Sequence, residues 1–388
     1  MALKVMGASG FLRRGYRRLA TNLRDMSTIH SAGKRKLWAQ LSDIIRLKIH
    51  GNGVKVKEYL GQEMFSDDLY PGASIASFGG IHFKERVHAC LNNIRWEGMV
   101  TDKLIQYTLL KQYDIPHPPV LAAASSRERN CGDIPVFTDI NALAEFLRGD
   151  KARYPMYCKP VKGYSARDIN KLIGYEAETD SLVLHGGARV SLLGFLGDLK
   201  ADEWGFLFQE AAKPANDTAP ICGDAVSGCR IIMLLDNDSA YPFRATWKVP
   251  LADSIVDNYV SGSLGNLMCD IDLGSGLVKR VICGTGSSLK INPLHPDTGY
   301  QLLGTTVPQW HEILQMLSRA ALCFPGFRWQ HWDIGISVAG PVVFELNSAG
   351  NVDIMQLSSG KGIDDPQLQE FLGNFAGTEA GYSHLFPR

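Results

Sequence analysis

The sequence predicts an α+β chain in three parts: a basic helical and mixed region over residues 1–115, a small lid subdomain over 116–208, and an antiparallel-sheet subdomain over 209–388. Three observations lead there. Basic and apolar residues mix at helical spacing across residues 10–50, where Leu37, Leu41, Ile44, Ile45 and Lys48 recur by threes and fours. Pro116, Pro118 and Pro119 stop a helix and force an extended exit. From residue 228 onward, apolar runs face each other across short turns, as antiparallel hairpins require.

The elements follow in order. GNG at 51–53 ends the first helical stretch, and YPGASIASFGG at 70–80 reads as a loop. TDKLIQYTLLKQY is a helix with Thr101 as N-cap and an apolar face through Leu104, Ile105, Thr108 and Leu109. INALAEFLRG is a helix, YPMYCKPV a strand, and GFLFQEAAKP a short buried strand running into a loop. CRIIMLLDNDSAYPFRATWKVP is a hairpin turning at DNDS, and CDIDLGSGLVKRVI is another. The helix PQWHEILQMLSRAALCF precedes a final hairpin, HWDIGISVAGPVVFELNSAGN.

Composition narrows the function classes. The chain has 388 residues, 45% of them hydrophobic and 21% charged, an ordinary globular balance. No apolar run reaches the roughly 18 residues of a membrane span, and no secretory signal is recognisable, so a cytoplasmic protein is expected. Eight cysteines without a CxxC pair argue against structural zinc or a disulfide framework. Net charge is zero but uneven. Residues 1–57 carry 13 Lys or Arg against two acids, and the remainder has the opposite excess. This is either a solvated or docked helical surface or an arm for an anionic partner: nucleic acid, a membrane surface or an acidic carrier protein. FLRRGYRRLATNL lacks interleaved aromatics, which disfavours nucleic acid.

The final hairpin holds the sharpest chemistry. A three-residue loop, Val338-Ala339-Gly340, would set Asp333 opposite Glu345 and put both on one face with Asn347. Two carboxylates and an amide are hard oxygen donors suited to Mg²⁺. Alone, the pattern also fits a hairpin with one solvated face. Lys159 ends an apolar strand, where an ammonium can meet phosphate, and Lys103 opens a helix, whose N-terminus favours anions. FLFQE can present main-chain groups to an adenine edge, with Leu207 and Phe208 against the ring, and reads equally as a core strand running into a turn.

The order of these features resembles the ATP-grasp superfamily, most closely its sugar-transfer-associated branch, related to glutamate-ligase-like enzymes. The resemblance runs from Thr101 to about Gln356 and faintly back to KEYLGQEMF. It implies ATP between lid and sheet. Lys103 and Lys159 would hold its phosphates, Gln209, Glu210 and Ala212 its adenine, and Asp333, Glu345 and Asn347 the magnesium. Lys248 falls where relatives carry a Lys or Arg near the reacting phosphate, Arg230 matches a strand arginine common in this branch and is expected to be catalytic with Lys248, and VDNYVSGSLGN, with Asp257 and Asn258, resembles a loop near phosphates and acceptor. The sequence departs from the family in three places: VKGYSARDI has a single glycine, SGSLG replaces a double glycine, and His331 stands where glycine or arginine is usual. The implied activity is a carboxylate–amine ligase acting through an acyl phosphate on small-molecule acid and amine substrates. Phosphoryl transfer to another acceptor and a non-catalytic ATP-binding scaffold remain as alternatives, and a homo-oligomer stays open.

Overall fold

The computed structural model describes residues 8–49, 52–163, 169–199, 204–251, 254, 265–284 and 288–375. Asp257, Asn258 and most of the segment VKGYSARDI lie outside the described residues. Two seven-stranded sheets dominate the fold.

The first sheet is built from β1 (Val120–Ala124), β2 (Val136–Phe137), β3 (Met156–Pro160), β4 (Asn170–Glu176), β5 (Ser181–Leu184), β6 (Arg189–Ser191) and β7 (Phe206–Glu210), in the order β2-β1-β7-β3-β4-β5-β6. Only β1 and β2 run parallel. One face packs on Leu143, Ala144 and Leu147 of the helix Ile140–Arg148 and on Leu192 and Leu196. The other face joins the main core. The strand β7 is the seam between them: alternation puts Leu207 in the main core and Phe208 in the smaller one. Neighbouring side chains on a strand point to opposite faces, so the expectation that both pack against one ring is corrected here.

The second sheet contains β8 (Gly228–Asp236), β9 (Ser239–Val249), β10 (Leu267–Ile271), β11 (Val278–Cys283), β12 (Lys290–Ile291), β13 (Trp329–Ser337) and β14 (Gly340–Asn347), ordered β12-β11-β10-β9-β8-β13-β14. Every neighbouring pair is antiparallel. The strand β13 is buried on both faces. Trp332, Ile334 and Ile336 meet the helix Trp310–Leu322 through residues such as Ile313 and Leu317, while Trp329 meets Phe83, Val87, Met355 and Phe371. The polar face of the hairpin is therefore covered, not solvated: Asp333 is 6% exposed.

Two local expectations change. The hairpin turns through Val338 and Ala339 alone, because Ser337 pairs with Gly340. A β-bulge at Phe344 then restores the opposition of Asp333 and Glu345. The bulged ring crosses Gly335, where an added Cβ would stand 2.2 Å from it. On the helix Lys103–Gln112, the N-cap is Asp102, whose carboxylate accepts from the Leu104 and Ile105 amides at 3.0 and 3.3 Å. Thr101 instead ends the preceding turn, Gly98–Thr101, with its hydroxyl donating to the Glu97 carbonyl. The buried face runs through Leu104, Gln106, Tyr107 and Leu110, and Ile105 is 41% exposed.

Candidate active site

Asp333 is the centre of one cluster. It lies opposite Arg230 of β8 and Glu345 of β14 in the sheet register. The Arg230 guanidinium donates through Nε to Oδ1 at 2.9 Å and through Nη2 to Oδ2, a bidentate grip. Lys248 of β9 donates to Oδ1 at 2.8 Å, and the Asn347 amide lies 3.4 Å from Oδ2. Burial opposes ionisation of Asp333, but the charges of Arg230 and Lys248 outweigh it and hold the carboxyl well below the usual range.

A second cluster sits beside it. Lys103 donates to the Gly163 carbonyl at 3.0 Å and pairs with Glu345 at 3.1 Å. Lys159, at the end of β3, donates to the Tyr107 hydroxyl at 2.9 Å with its ammonium over that ring. The Tyr107 hydroxyl in turn donates to the Phe344 carbonyl, fixing the bulge beside Glu345. Burial pushes Lys159 down to about 8, against the attraction of Glu345, and pushes the Tyr107 phenol up. Tyr107 therefore stays neutral, and Lys159 is a charge poorly compensated by its hydrogen bond.

The segment expected to read adenine closes β7. The Gln209 side chain is committed to the Pro118 carbonyl at 2.8 Å, and Glu210 pairs with Arg153 at 3.0 Å. The Glu210 and Ala211 amides donate to the Pro119 and Pro155 carbonyls at 2.9 and 3.0 Å. The Ala212 amide meets no backbone carbonyl among the described residues. It is the next donor along an otherwise satisfied edge.

Several residues in these clusters were not legible in the sequence. Gln106, fully buried, donates to the Leu346 carbonyl at 2.8 Å and accepts from its amide at 3.0 Å, holding the backbone between Glu345 and Asn347. Behind Asn347, Ser348 donates to Glu97, which also pairs with His88 at 2.9 Å. Asn92 donates to the Ser348 carbonyl at 2.7 Å. His331 pairs in register with Asn347, and burial holds its ring neutral. Its two nitrogens have no hydrogen-bond partner among the described residues, and Gly350 lies against it so closely that an added Cβ would stand 2.5 Å away.

The sugar-transfer-associated ATP-grasp family matches residues 82–371. The chain belongs to this family. Its α+β architecture, with two sheets and the charged residues gathered from both, agrees with the ATP-grasp fold. No curated protein matches the chain. Among solved structures, it is similar to the ATP-grasp ligase PsnB complexed with a phosphomimetic variant of minimal precursor, Mg and ADP, at 16% identity and a TM-score of 0.37, covering 74% of this chain and 61% of that one. It is similar to an L-amino acid ligase from Bacillus licheniformis at 11% identity and a TM-score of 0.33, covering 67% and 43%. It is also similar to N5-carboxyaminoimidazole ribonucleotide synthetase from Thermotoga maritima at 10% identity and a TM-score of 0.32, covering 65% and 42%. The chain thus spans less than two thirds of each of these proteins.

The donor set can be tested against magnesium and nucleotide directly. Among the described residues no cluster of three or more His, Cys, Asp or Glu forms a closed metal cage. Two facing carboxylates and one amide instead suit a hard cation that keeps most of its sites for water and phosphate. Lys103, Arg230 and Lys248 pair with these two carboxylates, and Lys159, on the Tyr107 hydroxyl, feels the charge of Glu345. The surplus of positive charge fits a polyanion with its counter-cation, so the residues present fit Mg-ATP.

Proposed function

We propose that this ATP-grasp protein is an ADP-forming carboxylate–amine ligase, cytoplasmic in location, that makes an amide bond through an acyl phosphate. The observation that carries the reading is that Lys103, Arg230 and Lys248 contact Glu345 and Asp333, with Lys159 held on the Tyr107 hydroxyl within the field of Glu345. In this reading, ATP lies between a lid formed by residues 116–208 and a catalytic part formed by 209–388. Lys103 and Lys159 hold the phosphates as point charges, and Gln209, Glu210 and Ala212 form the adenine hinge, with the Ala212 amide as its donor. Leu207 faces the ring side of the seam, and Phe208 supports it from behind. Asp333, Glu345 and Asn347 hold Mg²⁺, which supplies neutralisation of phosphate charge when bound.

The chemistry then needs positioning and charge, not a covalent nucleophile. A substrate carboxylate oxygen attacks the γ-phosphorus, the bond to the β-phosphate oxygen breaks, and ADP leaves. An amine then attacks the acyl carbon and phosphate departs with the carboxylate's oxygen. The amine loses a proton in this second step, and no described side chain stands out as its base. Arg230 and Lys248, set on neighbouring strands, neutralise the transferring phosphoryl group. Asn258 is proposed to act beside them from the segment between β9 and β10. The partners are a small-molecule acid and an amine.

The test supplies Mg-ATP with pools of amino acids and other carboxylates, and follows ADP, phosphate and product masses. ADP release together with a product lighter than its two precursors by one water supports the ligase. A stable phosphoester would replace it with a phosphotransferase, and nucleotide binding with no ADP release from any pool would leave a scaffold.

A further inference from the structure

The basic N-terminal helices have no part in this site, yet they carry the largest concentration of exposed apolar side chains. The helix Leu37–Ile49 has two different faces. Its inner face is built into the protein: Ala39, Gln40, Asp43 and Leu47 are buried. Gln40 donates to the Met26 and Arg35 carbonyls, and Asp43 accepts from Arg35 and from the Tyr59 hydroxyl. The outer face presents Leu37, Trp38, Leu41, Ile45 and Ile49, which recur by threes and fours and form one continuous stripe. Trp38 is 69% and Ile49 75% exposed. Leu19 and Leu23, one turn apart on the helix Ala8–Ser31, are exposed as well.

The surroundings of the stripe decide what covers it. Arg24, Lys36, Arg46 and Lys48 are all exposed. Between residues 17 and 49 the acids are Asp25 and Asp43, and Asp43 is turned inward onto Arg35. A twofold pairing of two copies through the stripe would press these basic rims together. A nucleic acid would neutralise the rim but leave five large apolar side chains in water, of which only one is aromatic. An anionic lipid surface answers both features, with headgroup charge for the rim and an acyl boundary for Trp38 and its aliphatic neighbours.

We propose that the helices Ala8–Ser31 and Leu37–Ile49 form a peripheral docking surface for an anionic membrane, lying in the interface without crossing it. No helix of the described residues is long and apolar enough to cross a membrane. The proposal does not depend on the ligase reading, since none of its residues touches the ATP-grasp clusters.

Sedimentation of the full-length protein with vesicles tests it, using phosphatidylcholine alone and phosphatidylcholine mixed with phosphatidylglycerol. The protein is expected to pellet with the mixed vesicles and to be released by salt. Arg46→Gln combined with Lys48→Gln is expected to lower partitioning by roughly 25-fold, at about fivefold for each charge. Trp38→Ala combined with Ile45→Ser is expected to lower it at least about tenfold. These side chains are exposed, so the thermal midpoint of both variants should be unchanged, which separates lost binding from lost folding. Equal binding to both vesicle types, or none at low salt, would overturn the proposal. So would light scattering that shows a dimer dispersed by Ile45→Ser, or binding of duplex DNA that Trp38→Ala leaves intact.

Discussion

The two halves of the charged site are prepared differently. Around Asp333, protein charge already answers protein charge: Arg230 and Lys248 grip the carboxylate from two neighbouring strands. Around Lys159, a half-buried ammonium rests on a neutral phenol and is pushed down to about 8 by desolvation. In the first cluster each charge already has a protein partner, and in the second the ammonium meets only a neutral group. In the ligase reading, the second sheet therefore holds metal and transferring phosphoryl on a frame already set by Asp333, and Lys103 and Lys159 add charge that phosphate would compensate.

The largest way to break this contrast is Asp333→Asn. It leaves Arg230 and Lys248 buried without their counter-charge, so a loss of about 3–5 kcal/mol in stability is expected along with loss of turnover. Chemical denaturation of the variant measures the first and ADP release the second. If the frame is not preformed, stability will hardly change.

Glu345→Gln separates site from frame. Glu345 is partly exposed and, among the described residues, forms its ion pair with Lys103, so stability should change by no more than about 1 kcal/mol. Turnover should fall by roughly 10²–10³-fold and ATP binding should lose its dependence on magnesium. Calorimetric titration of ATP with and without the metal reads this out, and an active variant would remove Glu345 from the metal site.

A subtler effect is the pH dependence of nucleotide affinity. Lys159 sits at about 8 in the free protein, and a bound phosphate would raise it. The affinity that depends on its charge is therefore fully present below about 8 and is lost as pH rises through that value toward the bound-state pKa. Lys159→Met should weaken binding and flatten the profile between pH 7 and 9. A profile unchanged by the substitution would show that Lys159 does not touch the ligand.

The smallest expected change is Tyr107→Phe, which removes the hydroxyl joining Lys159 to the Phe344 carbonyl. A loss of about 1–2 kcal/mol in stability and a few-fold weaker ATP binding should follow. An unaltered Lys159 pH profile in this variant would place the phenol in the frame and not in the phosphate site.

Much of this was legible in the sequence, for identifiable reasons. The opposition of Asp333 and Glu345 follows from strand alternation, which survives local irregularity: the turn is one residue shorter than expected, and the bulge at Phe344 compensates for it. Lys103 and Lys159 mark element ends, which sequences punctuate clearly. The helix phase was harder to read. Ile105, Thr108 and Leu109 offered an apolar face, but the protein buries Gln106 and Tyr107 because their polar ends find backbone and Lys159 across the chain. Such long-range satisfaction leaves no trace in spacing. The same is true of the grip of Arg230 and Lys248 on Asp333, which depends on the register of three strands.

The most direct test of the central claim uses a substrate acid labelled with heavy oxygen in its carboxylate, once the product screen has supplied one. An acyl-phosphate route delivers one labelled oxygen to the released phosphate, because that atom bridges acyl carbon and phosphorus before the amine displaces it. Phosphate released without label, with the amide still formed, would contradict an acyl phosphate and the assignment of the Lys103, Lys159, Arg230 and Lys248 cluster to phosphoryl transfer onto carboxylate.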